Sequence, residues 1–375
     1  MMSEWNHSTI NDVCVLVTDG SHSSPKSVHD GEYMVSVKDF TDYGFDFSSC
    51  RMISHDDYEV LKRNGCVPQI DDILIGKDGV RFFEDIIIYR QREKPALLSS
   101  IAILRCDKSK ILPDFLYYAL RTPSFKQDVK DNYGSGSAIP RIILKDFKRM
   151  MVSYPSLEKQ RSIISVLTAI DSKIQANTEI NDNLQQQAQA IYSSMFIDNP
   201  DPAWSHGHLS DLITVKYGKD HKKLADGIYP VYGSGGIMRY VERPLYNKES
   251  VLIPRKGTLN NVMYVNQPFW SVDTMFYTEM KLPNVAKFVY HFVKAKDLAS
   301  MNAGSAVPSM TTDILNAMEV VIPSASALEE FESLVAPMYE AMEANDVQSK
   351  ALSQMRDTLL PKLMSGKIDV SSVQL

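Results

Sequence analysis

Two short turns carry the side chains whose types and spacing best fit a chemical task. Lys77 and Arg81 follow one apolar run, and Arg255 and Lys256 follow a similar run in the second half of the chain. Lysine and arginine bind phosphate groups, and arginine also bonds the edges of bases. The paired turns are therefore candidates for contact with DNA, and a solvated surface charge is the equally open alternative for each side chain.

Further candidates for DNA contact lie near these turns or beside a Gly-Ser-Ala segment. Lysines cluster just before a predicted turn in the second half, and hydroxyl, aromatic and basic side chains flank the segment that begins at Gly136. These candidates are Lys219, Lys222, Lys223, Tyr133, Ser135, Ser137, Arg141 and Lys145. Net charge gives this prediction no support, because the chain carries −6.

Motifs for catalysis or metal binding are weak. The glycine-rich Gly233-Ser234-Gly235-Gly236 lacks the Gly-Lys-Ser/Thr of a phosphate-binding loop. Asn199-Pro200-Asp201-Pro202 lacks the adjacent prolines and the aromatic residue of an adenine methyltransferase motif, and Asp114 fits the start of a helix better than a nuclease site. His206 and His208 have no third ligand near them in sequence. We expect no catalytic residue, no metal and no cofactor in this chain.

An internal repeat must position these residues. Gly136-Ser137-Ala138-Ile139-Pro140 recurs as Gly304-Ser305-Ala306-Val307-Pro308, an offset of 304 − 136 = 168 residues. The same offset relates Pro155 to Pro323 and Ile191 to Leu359. A register held over this length predicts two similar halves, each a globular part followed by a long helix.

Each predicted helix has an apolar seam with alternating spacings of three and four residues, which is typical of coiled-coil-like pairing. The seam positions, which we also expect to dock a partner, are Ile163, Ile170, Asn177, Leu184, Ile191, Phe331, Met338, Asn345, Leu352 and Leu359. If the helices pair antiparallel, Asn177 and Asn345 should meet; two solvated polar side chains are the alternative. Pro337 and Pro361 are predicted to kink or interrupt the second helix.

The globular parts show short β-branched runs punctuated by glycine and aspartate, which favours strands. One short helix is predicted before each Gly-Ser-Ala segment, around residues 114–120 and 286–293. The sequence predicts an α+β fold with two small mixed α/β domains and two long antiparallel helices. The predicted boundaries are 1–155 for the first domain, 156–198 for the central helix, 199–323 for the second domain and 324–375 for the last helix and tail.

The length of 375 residues suits two or three domains. No apolar run approaches the ~18 residues that cross a membrane. The first residues lack the basic and apolar stretches of a signal peptide. We therefore expect a cytoplasmic location and no membrane partner.

This plan resembles the DNA-specificity subunits of type I restriction–modification enzymes. Four segments carry the resemblance: residues 136–140, residues 154–160, residues 167–174 and the closing stretch 360–368. One departure is that Ala325-Ser326-Ala327-Leu328 stands where the first half has Leu157-Glu158-Lys159-Gln160. Together these segments lie between residues 136 and 368.

The resemblance implies that each domain reads one half of a bipartite site in double-stranded DNA and that the helices set the spacer. It also implies two methyltransferase subunits docked on the helical regions and restriction (motor) subunits for cleavage. S-adenosylmethionine, ATP and magnesium would then belong to those partners. Two alternatives stay open: a recognition subunit of another bipartite-site system, and a coiled-coil protein scaffold that binds no DNA.

Overall fold

The chain folds into two compact units. Unit 1 comprises Met1–Gln175 and Gln348–Leu375, and unit 2 comprises Ala176–Val347. The computed structural model describes residues 5–79, 81–134, 140–301, 309–368 and 370. Within that part of the chain, none of the helices combines the length and the apolar composition needed to cross a membrane.

Unit 1 is built around a four-stranded antiparallel sheet. Its strands in chain order are β1 (Asn6–Thr9), β2 (Cys14–Asp19), β3 (Glu32–Val35), β4 (Phe40–Thr41), β5 (Gly44–Phe45), β6 (Arg51–Ile53), β7 (Ile73–Gly76), β8 (Ile86–Ile88), β9 (Ala96–Leu97), β10 (Ile101–Cys106) and β11 (Met151–Tyr154). Its short helices are α1 (Ile10–Val13), α2 (His55–Arg63), α3 (Pro113–Arg121), α4 (Pro123–Asn132) and α5 (Leu144–Arg149).

The central sheet of unit 1 has the order β2-β10-β7-β8, and a smaller sheet has the order β6-β3-β9. Two-stranded ladders join β1 to β11 and β4 to β5. Both faces of the central sheet are covered, so β7 reads as a continuous apolar run rather than an alternating one. Ile73 and Ile75 pack into the cluster that contains Phe115 of α3, whereas Leu74 packs with Val35 of the smaller sheet.

Two long helices contribute residues to both units: α6 (Leu157–Ser193), which a π-helical turn (Ser194–Asp198) extends, and α10 (Ala325–Met364). In unit 1, Ile163 of α6 and Leu363 of α10 lie in one core. In unit 2, Tyr192 and Phe331 lie in one core.

Unit 2 repeats the plan of unit 1. Its strands are β12 (Ser205–His208), β13 (Ile213–Tyr217), β14 (Asp226–Gly233), β15 (Gly236–Val241), β16 (Ser250–Pro254), β17 (Met263–Val265), β18 (Trp270–Ser271), β19 (Met275–Met280) and β20 (Glu319–Ile322). Its short helices are α7 (Leu209–Leu212), α8 (Ala286–Lys294) and α9 (Thr312–Asn316). The sheet orders β13-β19-β16-β17, β15-β14-β18 and β12-β20 match three of the four sheets of unit 1 strand for strand, and the β4–β5 ladder is the fourth.

The predicted short helices are confirmed as α3 and α8. The sequence predicts a kink or an interruption at the two prolines; the interruption is wrong, because α10 continues through Pro337 and Pro361. Each proline removes one main-chain hydrogen bond from the helix, and buried residues lie near both prolines. Val335 and Tyr339 lie in the core of unit 2, and Leu360 and Leu363 lie in the core of unit 1.

Candidate nucleic-acid interface

In unit 1, the ends of three strands and the connection between β9 and β10 meet at one edge, which we call loop end 1 (residues 19–21, 77–79, 98–100 and 140–142). Main-chain hydrogen bonds hold it together: Lys77 N–H donates to Ser100 O at 2.9 Å, and Ile142 N–H donates to Lys77 O at 3.0 Å. Gly20 N–H donates to Ile101 O at 3.1 Å. The first basic turn thus lies beside the residues that follow the Gly-Ser-Ala segment.

Loop end 2 (residues 217–219, 255–257, 272–274 and 309–310) has the same construction in unit 2. Arg255 N–H donates to Thr274 O at 2.9 Å, and Met310 N–H donates to Arg255 O at 2.9 Å. Two isolated main-chain β-bridges occupy equivalent places. One pairs Asp78 with Arg141, and the other pairs Lys256 with Ser309. The offset 309 − 141 = 168 equals the repeat found in the sequence, so the two basic turns are structural counterparts.

Two glycine pairs allow these turns to form. A Cβ on Gly20 would overlap the carbonyl oxygen of Leu97, and a Cβ on Gly218 would overlap that of Val272. Gly79 and Gly257 have φ of +94° and +86°, a region that favours glycine. Both strand ends therefore approach their neighbours more closely than a side chain would permit.

Loop end 1 is largely neutralised by ion pairs. Lys77 is buried, and its Nζ lies 3.5 Å from Asp19 and 3.4 Å from Asp78. Arg141 Nε lies 3.9 Å from the same Asp78. Of the two candidates at the first basic turn, Lys77 has almost no surface to offer a phosphate.

Arg81 lies on a cleft at loop end 1 of about 560 Å³. Its guanidinium donates to Asp85 Oδ1 at 2.5 Å, and this hydrogen bond raises the pKa of Arg81 above its ordinary value. The cleft is lined by Val37, Lys38, Phe40, Gly76, Asp78, Gly79, Arg81 and Asp85. It offers both donors and acceptors at the surface.

Loop end 2 presents cations on its surface. The Arg255 guanidinium stacks on Tyr217, with Cζ 5.3 Å from the ring centre, and Lys256 is exposed. Tyr217 and Arg255 occupy the places of Asp19 and Lys77, because both pairs flank the same main-chain hydrogen bonds. The place of a buried ion pair in unit 1 is thus taken in unit 2 by a cation–π pair of a partly buried arginine and an exposed tyrosine.

The other basic candidates of unit 2 follow directly along the chain. Lys219, Lys222 and Lys223 are exposed, and Lys219 belongs to loop end 2, where its N–H donates to Ser271 O at 2.8 Å. The N–H of Lys222 donates to Asp220 Oδ1 and holds the pKa of that carboxyl below its ordinary value. Three lysines and one aspartate therefore lie within residues 219–223.

The remaining candidates for DNA contact in unit 1 differ in their surroundings. Tyr133 stacks under Arg149, with Cζ 4.8 Å from the ring centre, and Lys145 is exposed on α5. Ser135 and Ser137 fall outside the described residues. Sequence reasoning missed Arg149 and Tyr217. Tyr217 ends a strand two residues before Lys219, and that proximity was the available signal.

Among the predicted seam residues, the two asparagines contact each other across α6 and α10. In unit 2, Asn177 Nδ2 donates to Asn345 O at 3.3 Å, and Asn345 Nδ2 donates to Asn181 Oδ1 at 2.8 Å. The two asparagines therefore meet, as the antiparallel pairing predicts, although Asn181 completes the contact. Ile163, Ile170 and Phe331 are buried. Leu184, Ile191, Met338, Leu352 and Leu359 are partly buried.

Each unit also has a polar contact between its short helix and a long helix. Tyr118 donates to Asp171 at 2.8 Å in unit 1, and Arg356 donates to the same carboxylate at 2.9 Å. In unit 2, His291 contacts Tyr339 at 2.9 Å and Gln189 at 2.8 Å. Burial lowers the pKa of His291 to about 4, so the imidazole is neutral near pH 7.

The described part of the chain contains no group of three or more histidine, cysteine, aspartate or glutamate side chains that could hold a metal ion. The two loop ends, with their main-chain scaffolds and differing side chains, are therefore the candidate functional surfaces. Their chemistry is that of hydrogen-bond donors, acceptors and cations, which suits binding.

Comparison with known proteins gives one consistent family. The model of the type I restriction modification DNA specificity domain matches residues 2–186 and 203–331. The MjaIX specificity subunit of Methanocaldococcus jannaschii, a type I restriction enzyme subunit, is 24% identical, with 71% of each chain covered. The HindI specificity subunit of Haemophilus influenzae is 21% identical, covering 69% of this chain and 78% of the relative.

A solved structure has the same fold. The S subunit of the type I restriction–modification system from M. genitalium superposes with a TM-score of 0.60 at 17% identity, covering 96% of both chains. Two matched domains in one chain agree with the repeat seen in both the sequence and the sheets. The chain therefore belongs to the family of type I restriction–modification DNA specificity subunits.

Proposed function

We propose that the two units bind one DNA duplex through their loop ends, each reading one half of a bipartite site. The observation that carries this proposal is the repeated scaffold. Equivalent main-chain hydrogen bonds present Asp78 and Arg141 in unit 1 and Lys256 and Ser309 in unit 2. A shared framework with different side chains suits two surfaces that bind the same polymer but read different bases.

Phosphate contact is assigned chiefly to unit 2. Arg255, Lys256 and Lys219 are cations of one loop end, and glycines let the main chain approach a backbone closely. In unit 1 the candidates are Arg81, Arg141 and Lys145. Base edges would be read by the donors and acceptors between these cations.

The long helices have a separate role in this proposal. They set the spacer between the half-sites and dock two methyltransferase subunits, which restriction (motor) subunits join. The assembled complex is then a DNA adenine methyltransferase and an ATP-dependent endonuclease. The partner subunits bind S-adenosylmethionine, ATP and magnesium, and this chain supplies no catalytic group.

A titration of the purified complex with its methyltransferase tests the DNA proposal. The duplexes are random DNA and a bipartite site obtained by mapping methylated adenines in the host genome. We expect tighter binding of the bipartite site and an affinity that falls with salt. Equal affinity for both duplexes at every salt concentration would favour the protein scaffold.

A variant locates the contact. Arg255→Ala with Lys256→Ala should weaken binding to both duplexes and lower the slope of log affinity against log salt by roughly 1.8, which is two phosphate contacts. Lys248→Ala with Lys281→Ala, two lysines of unit 2 outside loop end 2, is the matched control. An unchanged slope in the Arg255/Lys256 variant would refute the assignment of that turn.

A further inference from the structure

The β14–β15 hairpin of unit 2 exposes apolar side chains that do not pack into the cores described above. Its inner face is buried, since Val231, Tyr232 and Val241 belong to a core cluster with Trp270. On its outer side Ile237 is 48% exposed and Met238 is 61% exposed. Adjacent residues of a strand normally point to opposite faces, so two successive exposed apolar side chains need a local cause.

A β-bulge is that cause. Val231 is paired with Arg239 and Tyr232 with Ile237, which leaves Met238 as the extra residue in β15. A bulge redirects side chains and is frequent beside binding sites. Gly236 follows the turn with φ of +108°, so the main chain reverses within residues 233–236. The bulge thus places both apolar side chains next to a compact turn.

The hairpin turn is attached to the basic turn of loop end 2. Asn261 Nδ2 donates to Ser234 O at 2.8 Å, and a Cβ on Gly257 would lie 2.7 Å from Ser234 Oγ. Val272 N–H donates to Tyr232 O at 3.1 Å, which ties the base of the turn to the loop that holds Arg255. The hairpin turn that precedes the apolar pair therefore lies beside the basic turn of loop end 2.

We propose that this hairpin turn enters the major groove of the second half-site, where Ile237 and Met238 pack against base edges. The proposal rests on the proposed function, because it presumes that loop end 2 binds DNA. The major groove is about 12 Å wide and admits a two-stranded β-ribbon. Cations beside the hairpin fit the phosphates that border the groove, whereas an apolar protein partner would have no need of them.

Unit 1 has no such hairpin at the equivalent place. The strands β3 and β6, which correspond to β14 and β15, are joined by residues 36–50, and these include a 3-10 turn and the β4–β5 ladder. The apolar contact is therefore assigned to one half-site only. The other half-site provides an internal control in each experiment.

The test variant is Ile237→Ser with Met238→Ser, measured in the complex with the methyltransferase. Selection from duplexes randomised at both half-sites should show relaxed preference at adjacent base pairs of the second half-site, with unchanged preference at the first. Affinity for the native site should fall roughly tenfold for each base pair that is no longer read. Affinity for random DNA and its salt slope should not change.

Ile228→Ser is the matched control. Ile228 is 78% exposed and lies at the other irregular pairing of the same hairpin, about 16 Å along the strand from the turn. The control should keep the native preference. An unchanged profile in the Ile237/Met238 variant would overturn the proposal, and so would equal loss on all sequences or loss of the methyltransferase from the complex.

Modified bases then identify the groove at the relaxed positions. Replacing A·T by inosine·C changes the major-groove face and keeps the minor-groove face, whereas replacing G·C by inosine·C does the reverse. Only the first replacement should weaken binding by the native chain. The opposite result would mean an apolar wedge in the minor groove. The Arg255/Lys256 variant tests the proposed function separately, because it changes the salt slope and not the base preference.

Discussion

Unit 1 and unit 2 place side chains on equivalent backbones but stabilise them differently. Lys77 of unit 1 is buried beside Asp19, whereas Arg255 of unit 2 stacks on the exposed Tyr217. Asp72 receives two hydrogen bonds from Arg105, both at 2.8 Å, where unit 2 has the hydroxyl pair of Ser250 and Thr278.

The same difference continues at the long helices. Gln160 at the start of α6 is fully buried, accepts from Leu112 N–H and donates to Lys110 O and Pro155 O. Its counterpart at the start of α10 is the buried Leu328. This is the segment in which the two sequence repeats depart from each other, and the departure replaces a hydrogen-bonded junction by an apolar one.

The comparison indicates that one topology tolerates either an ionic or a neutral pair at these equivalent places, while unit 2 has its own ion pair between the buried Lys287 and Glu332. Buried ion pairs are costly to break because a single charge then remains without a partner, whereas neutral pairs lose less. The positive charge that is buried at Lys77 in unit 1 is accessible at Arg255 in unit 2. We therefore expect substitutions in unit 1 to change stability and substitutions at equivalent places in unit 2 to change binding.

Asp72→Ala should give the largest effect, a loss of about 4 kcal/mol in the stability of unit 1, because Arg105 loses its carboxylate in a partly buried place. Ser250→Ala in unit 2 should cost only about 1 kcal/mol. Hydrogen exchange resolved by peptide, which reports each unit separately, is the measurement. Similar losses in both units would contradict the comparison.

Lys77→Met and Arg255→Met should have opposite outcomes. Lys77→Met should destabilise unit 1 by about 3 kcal/mol, because Asp19 stays buried without its cation, and should leave the salt slope of DNA binding unchanged. Arg255→Met should leave unit 2 stable and lower that slope by roughly 1. Denaturant unfolding and DNA titration of both variants are the measurements, and a DNA defect confined to Lys77→Met would reverse the assignment.

Acid should destabilise unit 2 through His291. Its pKa is about 4 in the folded chain against 6.5 for an unperturbed histidine, so the folded state favours the neutral ring. The resulting stability is present above pH 6.5 and is lost as the pH falls towards 4, by up to about 3 kcal/mol. Hydrogen exchange of unit 2 between pH 7 and pH 5 measures it. His291→Gln should remove most of the pH dependence, and an unchanged dependence would exclude His291 as its source.

Replacing Asn177 and Asn345 by leucine should give the smallest effect. Buried asparagines fix register at a cost in stability, so the double variant should become more stable by about 1 kcal/mol while its helices lose a single register. Spin labels at Asn183 and Glu340, both exposed in unit 2, would report a broader distance distribution. Unchanged stability together with one sharp distance would leave the asparagines without a role in pairing.

Much of the fold could be predicted from residue patterns. The apolar run at residues 73–75 predicts β7, and the apolar seam predicts α6 and α10, because burial requires a fixed spacing of side chains. The interruption at Pro337 was predicted wrongly, because local propensity ignores the tertiary packing of Val335 and Tyr339. The role of Met238 could not be predicted, since a bulge depends on how two strands pair.

The sequence by itself determined that the chain is doubled, because an offset of 168 residues is a property of the letters alone. It also determined where the basic turns lie along the chain. Only the tertiary structure decided which of those cations reach the surface. Lys77 and Arg255 follow similar strands, yet the residue across the sheet is Asp19 in one unit and Tyr217 in the other. An ion pair with a carboxylate stabilises a buried lysine, whereas a cation–π contact with an exposed aromatic ring stabilises an arginine at the surface.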